Sequence, residues 1–189
     1  MMKKMLLVLA AVSAGMILAA EEVAWPKGES ALTLAKIRQI VAKSPEVVPG
    51  KTFSMKIKVT AQTAGPLWRT AGIRILRDPK NYCQIAFINS PKDIKMIELK
   101  QCVNGKWGAT DGVPKGDFRT FTNWEEGKEY TLTLTPGQDK IVAVTTDADG
   151  KEVSRVVMPV TDAAKAIVSG KPACYVANTE AVFSGAEVK

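Results

Sequence analysis

The chain predicts an all-β fold, an antiparallel β-sandwich with at most one short helix near residues 162–168. Three observations carry this expectation. Residues 52–61, TFSMKIKVTA, alternate apolar and polar side chains: Phe53, Met55, Ile57 and Val59 point one way, Ser54, Lys56, Lys58 and Thr60 the other. A strand with one face on a core and one in water produces that pattern. Between Trp68 and Trp107 lie three runs, 71–76, 82–88 and 96–103, each with the length and β-branched content of a strand. Asp78-Pro79-Lys80-Asn81 and Asn89-Ser90-Pro91-Lys92-Asp93 separate them, and both are rich in turn formers. Turn signals then recur about every ten to fourteen residues to the end of the chain, the spacing of a sandwich or barrel.

Taken in order, residues 21–30 form a polar segment in which Trp25-Pro26 can anchor on the sandwich, and 31–34 form a short strand. Residues 36–43, KIRQIVAK, fit period two with Ile37, Gln39 and Val41 on one face, and also fit helical spacing. The run is short and its neighbours are strands, so a strand is expected. Pro49-Gly50 turns into the alternating strand 52–61, and 62–66 form a loop into the central meander. Asn104-Gly105 tolerates positive φ at both positions and marks a hairpin turn, from which 107–109 return as a strand. Residues 111–117, rich in Gly, Pro and Asp, form a loop. Strands are expected at 118–124, 130–135, 140–146 and 152–158, separated by turns at 125–128, Pro136-Gly137 and 147–150. Residues 162–168 make the helix, with Asp162 or Thr161 as its cap. Strands at 174–177 and 181–188 close the chain.

The first twenty residues set the compartment. Lys3 and Lys4 precede an apolar stretch at 5–18, and Ala19-Ala20 lead into Glu21-Glu22. This is the layout of a secretory signal peptide cleaved after Ala20, although Leu18 occupies the −3 position where a small residue is usual. The apolar stretch falls short of the roughly 20 residues a membrane span needs. The expected organisation is a signal peptide at 1–20 and one domain at 21–189, secreted to the periplasm or beyond. Without Lys3 and Lys4 the chain carries 24 basic side chains against 19 acidic, a net +5. The excess is spread among apolar residues, as on the solvated faces of strands, so no nucleic-acid partner is expected, nor membrane insertion after signal cleavage.

There is no histidine in the 189 residues, which removes Ser-His-Asp and Cys-His triads and the commonest zinc ligand. Cys83, Cys102 and Cys174 are odd in number, and no two have the spacing of a metal knuckle. Alternation sets Cys83 and Cys102 on opposite faces, against a bridge between them. A Cys102–Cys174 bridge stays open, and buried free thiols are preferred.

The order of the strands resembles the concanavalin A-like lectin/glucanase jelly roll, including laminin-G-like and secreted bacterial sugar-active domains. Three segments carry the likeness. TFSMKIKV with AGIRILRDPKNYCQIAFI is similar to the paired front strands of that fold. TNWEEGKEYTLTLTPGQDKIVAVTTDADGKEV is similar to its Trp, Gly, Tyr, strand–turn–strand hairpin ending in an Asp-Gly turn. YVANTEAVFSGAEVK is similar to its closing segment. These are patterns of fold, and the family divides between glycan binding and glycan cleavage. The resemblance implies a carbohydrate ligand, a glycan or polysaccharide.

No catalytic signature accompanies it, and a non-catalytic binding domain is favoured over an enzyme. The Glu-x-Asp-x-x-Glu strand of laminarinase-type members is missing. Glu125-Glu126-x-x-Glu129 sits in a turn where its carboxylates would not converge. Glu98 and Asp117 are a conceivable acid pair for a glycoside hydrolase. Alginate-lyase-type jelly rolls use a Tyr, a His and a Gln-containing strand; Gln84-Ile85-Ala86 fits the strand, and the histidine is lacking. Asp147-x-Asp149-Gly150 looks like the start of an EF-hand loop, but the rest of the loop is absent, so a bulged hairpin is expected. No cofactor is expected, with structural calcium left open, and oligomeric state is undetermined.

Alternation supplies the candidate binding surface. If Ile73 and Ile75, Cys83, Ile85 and Phe87, and Ile97, Leu99 and Val103 line the core, then Arg74, Tyr82, Gln84, Glu98 and Lys100 share the opposite face. These groups suit hydrogen bonds to hydroxyls, with Tyr82 able to stack on a sugar ring. Trp107 or Trp68 belongs at the rim, while Trp124 and Tyr130 belong to the core or a corner. The alternatives are a sugar-cleaving enzyme with an unrecognised carboxylate pair and a structural envelope protein with no small ligand.

Overall fold

The computed structural model describes residues 21–23, 31–42, 45–107 and 118–189. The signal peptide expected at 1–20, the Trp25-Pro26 anchor, the 111–117 loop and Asp117 lie outside the described residues.

The alternating segments become strands in chain order. They are β1 (Glu21–Val23), β2 (Ala31–Leu34), β3 (Ile37–Ala42), β4 (Phe53–Gln62), β5 (Arg69–Asp78), β6 (Asn81–Asn89) and β7 (Lys95–Val103). Then come β8 (Lys106–Trp107), β9 (Arg119–Phe121), β10 (Glu129–Pro136), β11 (Lys140–Asp147), β12 (Glu152–Pro159), β13 (Lys171–Ala177) and β14 (Thr179–Val188). The larger sheet runs β1-β3-β13-β5-β6-β7-β8, with β9 also on β7; the smaller runs β12-β11-β10-β4-β14-β2. Every pair is antiparallel except β1 with β3, which is parallel. The chain is thus the all-β sandwich that the alternation predicts. β1 is an addition: Glu21–Val23 pair with Ile40–Ala42, where the sequence offered only a polar segment.

The core lies between the two sheets. Phe53, Met55 and Ile57 of β4 and Phe183 of β14 come from the smaller sheet, and Ile73, Ile85, Phe87 and Leu99 from the larger. Each such side chain contributes about 1.5–3 kcal/mol on full burial. Trp124 packs on Phe87 with centroids 5.2 Å apart, and Phe87 meets Tyr130 at 5.1 Å. The Tyr130 hydroxyl accepts the Glu125 N–H at 3.1 Å, so this pair forms a buried corner.

The expected helix forms as a 3₁₀ helix, Asp162–Ile167, with Thr161 at its N-cap position and Ala164 and Ile167 buried. Its span explains the tighter winding. Pro159 closes β12 on one side, and on the other Gly170 is pinned to Val47 by reciprocal backbone hydrogen bonds of 2.8 and 3.0 Å. A 3₁₀ turn rises further per residue and suits so short a connector.

All three cysteines are free and buried. Cys83 and Cys174 point into the sandwich core, while Cys102 joins an outer-face cluster with Leu76 and Tyr82. The Cys102–Cys174 bridge therefore does not form, because the two side chains lie on opposite faces of one sheet. Burial pushes the Cys83 thiol up to about 12, and raises Cys174 as well. Both thiols keep their protons in the folded chain at pH values where the unfolded chain has lost them, so stability is full below the ordinary thiol pKa of 9.0 and falls as pH rises above it. Between pH 9 and 11 the expected loss is about 1.4 kcal/mol per pH unit for each buried thiol. Urea unfolding at several pH values, with Cys83→Ala as the reference that lacks one of the two contributions, measures it.

Candidate functional site

The outer face of the larger sheet is set by the register of five strands, β3, β13, β5, β6 and β7. Cross-strand pairing arranges its side chains in rows. One row runs Gln39, Tyr175, Gly72, Ala86, Glu98 and, on β9, Arg119. The next runs Val41, Ala173, Arg74, Gln84 and Lys100. A third holds Leu76, Tyr82, Cys102 and Trp107. Arg74, Tyr82, Gln84, Glu98, Lys100 and Trp107, the six residues that alternation selects, thus lie on one face, on the four neighbouring strands β5 to β8.

Arg74 is the centre. It is 6% exposed, and its guanidinium lies between two tyrosine rings, 4.2 Å from the Tyr82 centroid and 3.7 Å from that of Tyr175. Each such stack contributes about 0.5–2 kcal/mol. Nε donates to Gln84 Oε1 at 2.7 Å, and Nη1 donates to Gln39 Oε1. Burial pulls the guanidinium below its ordinary pKa, while Tyr82 and Tyr175 work the other way. Burial also raises the Tyr82 hydroxyl far above its usual range, so it stays protonated.

Glu98, also buried, is held by Lys100 Nζ at 2.9 Å and Arg119 Nη2 at 3.8 Å. Arg74 and Glu98 do not pair; the sheet keeps the buried cation and the buried carboxylate with separate partners. The face is less polar than its charged residues suggest. Val41, Leu76, Tyr82, Cys102 and Ala173 form one apolar cluster on it, and Ala86, Ile88 and Met96 another.

Two tryptophans stand proud of this surface. Trp107 is 41% exposed and meets Tyr82 edge-on, centroids 5.1 Å apart at 82°. Its hairpin is tied to the neighbouring one. Asn104 and Gly105 have φ of 51° and 77°, the Gly105 N–H donates to the Lys80 carbonyl at 2.8 Å, and the Asn104 N–H donates to Asn81 Oδ1 at 2.9 Å. Trp68, 55% exposed, sits where the 63–68 loop enters β5. Arg69 fixes that loop by donating to the Thr63 carbonyl at 2.8 Å and to Asp93 Oδ1 at 2.6 Å, and Asn178 Nδ2 donates to the Trp68 carbonyl at 2.9 Å. Between the tryptophans lies an open depression of about 440 Å³. Arg74, Gln84, Lys100 and Tyr175 line it with Thr70 and Ile88, and both indoles border it. Tyr175 and Gln39 were not singled out from the sequence as site residues. Tyr175 was legible by the same alternation, since Cys174 and Val176 flank it and point inward. Its place beside Arg74 was not, because β13 is remote from β5 in the chain.

Other acidic groups are engaged locally. Glu125 pairs with Lys128 at 2.7 Å, Glu129 with Lys56 at 3.1 Å, and Glu126 accepts from Gln62, so the three carboxylates of that turn diverge as expected. Asp147 Oδ1 accepts the N–H groups of Asp149 at 3.1 Å and Lys151 at 2.9 Å, capping the β11–β12 turn, and a register shift falls at Thr145/Thr146. That is the bulged hairpin predicted.

No family model matches the chain, and no curated protein matches it by sequence. Solved structures do. A carbohydrate binding module, CBM66, from Bacillus subtilis superposes with a TM-score of 0.60 at 12% identity over 90% of this chain and 99% of that one. A functionally unknown protein from Saccharomyces cerevisiae gives 0.53 at 12% over 77% and 71%. The GH43 protein BlXynB from Bacillus licheniformis gives 0.53 at 13% over 73% of this chain and 27% of that one. At these identities the likeness is one of fold: a β-sandwich shared with a carbohydrate-binding module.

Gly72, between Tyr175 and Ala86 in the first row, is fixed by space. A Cβ there would lie 2.2 Å from the Ile85 carbonyl oxygen and 2.6 Å from Ala86, so β5 and β6 would have to separate. Gly72→Ala is expected to lower stability by about 1–3 kcal/mol, read as a lower denaturation midpoint.

Proposed function

We propose that the chain is a secreted, non-catalytic carbohydrate-binding domain of the concanavalin A-like type, made after removal of residues 1–20 and taking a saccharide in the depression between Trp68 and Trp107. The observation that carries this reading is the pairing of two exposed indoles with fixed hydrogen-bonding groups on one rigid sheet. Aromatic rings stack on the apolar face of a sugar, and Gln84, Lys100 and Arg74 sit below them to meet its oxygens. The likeness to CBM66 over nearly all of both chains supports it. Glu98 suits a structural role better than a catalytic one. Its two carboxylate oxygens are already engaged, one by Lys100 and the other by Arg119.

A glycan array tests the reading with the chain beginning at Glu21. Trp107→Ala and Trp68→Ala are each expected to weaken binding by roughly tenfold; the unfolding midpoint stays unchanged for Trp68→Ala and falls only slightly for Trp107→Ala, whose indole also packs on Tyr82. Failure of the unaltered chain to bind any neutral or acidic glycan would overturn the proposal.

A further inference from the structure

We infer that the depression selects an anionic saccharide, with a uronate carboxylate set against the Arg74 guanidinium. The inference rests on the carbohydrate-binding reading and adds the class of sugar. It starts from the company that Arg74 keeps. Its hydrogen bonds go to the amide oxygens of Gln39 and Gln84 and to the Tyr175 side chain, and its flanking rings are those of Tyr82 and Tyr175. Among the described residues no carboxylate pairs with it. A buried cation without a counter-charge is unfavourable, and this one lines an open depression where a ligand can supply the missing charge.

The hydrogen-bonding capacity of the face points the same way. The Oε1 atoms of Gln39 and Gln84 are already occupied by Arg74, and Glu98 is occupied by Lys100 and Arg119. The amide and carboxylate oxygens of the two central rows are thus engaged inside the protein, and the face offers a ligand mainly donors: guanidinium N–H, the Lys100 ammonium and the glutamine amides, beside the Tyr175 hydroxyl. Within those rows the ionised side chains are Arg74, Lys100 and Arg119 against Glu98. A neutral sugar needs acceptors as well as donors. A carboxylate needs only donors, and the planar guanidinium fork fits it better than it fits a tetrahedral sulfate.

Isothermal titration of the chain from Glu21 at low and moderate salt tests this with oligomers of galacturonate, hyaluronan and alginate, each beside its carboxyl methyl ester. A sulfated neutral galactan and a single-stranded oligonucleotide complete the set. At least one acid is expected to bind roughly tenfold or more tighter than its own ester, and to weaken as salt rises. Arg74→Lys keeps the charge and loses the fork; it is expected to lose most of that preference. Lys100→Gln, at a more exposed position, is expected to lower acid binding more than ester binding, so that the preference for the acid falls. Thermal unfolding of both variants establishes that they are folded. Equal binding of acid and ester would overturn the inference and leave the carbohydrate-binding reading in place. Binding of neutral glycans alone would do the same, and binding of no glycan would remove both. Sulfate binding in preference to every uronate, or tighter binding of the oligonucleotide, would overturn the uronate assignment.

Discussion

The structure depends on the register of β5 against its neighbours. In a strand, successive side chains face opposite ways, so a slip of one residue exchanges the faces. In β5 that slip would drive Arg74 into the core and put Ile73 and Ile75 outside. The register is held on both sides: Ile73 opposes Ile85 on β6 and Cys174 on β13, while Arg74 opposes Gln84 and Ala173. Gly72 tightens the lock, since its backbone approaches that of β6 too closely for any other side chain. One pairing pattern therefore packs the sandwich and assembles the outer face together.

That outer face is built like a second, shallow core. Leu76, Tyr82 and Cys102 bury one another on one side, Ala86, Ile88 and Met96 on the other, and the polar strip of Gln39, Arg74 and Gln84 runs between them. Apolar flanks lower the local dielectric and strengthen the polar contacts they enclose. They also leave the side chains of the strip one arrangement, because two glutamines and two rings hold the guanidinium from four sides. A site fixed in this way loses little conformational entropy when a ligand arrives. The same economy extends to the rim, where Arg69 and Asn178 fasten the segment carrying Trp68, and Lys80 and Asn81 fasten the hairpin carrying Trp107.

Much of this was legible in the sequence because it follows from local periodicity. Strand alternation in TFSMKIKVTA, the turns around Pro79 and Asn104-Gly105, and the division of 71–103 into core and outer residues are all consequences of period two, which needs no knowledge of what lies alongside. What alternation could not supply was the neighbour across a long connection. β13 comes to lie beside β5, with β3 on its far side, and they bring Tyr175 and Gln39 to Arg74. For the same reason alternation placed Arg74 on the outer face without revealing that it is buried there. The three cysteines follow this division. Opposite faces for Cys83 and Cys102 came from parity, whereas excluding Cys102–Cys174 required the placement of β13. The helix near 162–168 was found, but that it winds as a 3₁₀ helix between Pro159 and the Val47–Gly170 bridge only the folded chain defines.

Arg74 marks the point where stability and use part company. A leucine or methionine at that place would extend the apolar cluster of Leu76 and Tyr82 with no ion to desolvate, and replacing buried ions by apolar groups of similar size often stabilises a fold. Gln84 and Gln39 would then have no reason to be buried, and the whole row could become apolar. The chain instead spends two glutamines and two tyrosines on accommodating one cation inside the sheet face. Such an arrangement contradicts the local logic of a strand packed for stability, and departures of that kind concentrate where a protein meets a ligand. The two faces of β5 thus answer different demands. Ile73 and Ile75 hold the sheets together, and Arg74, one residue away from each, lines the outer depression with no carboxylate partner among the described residues.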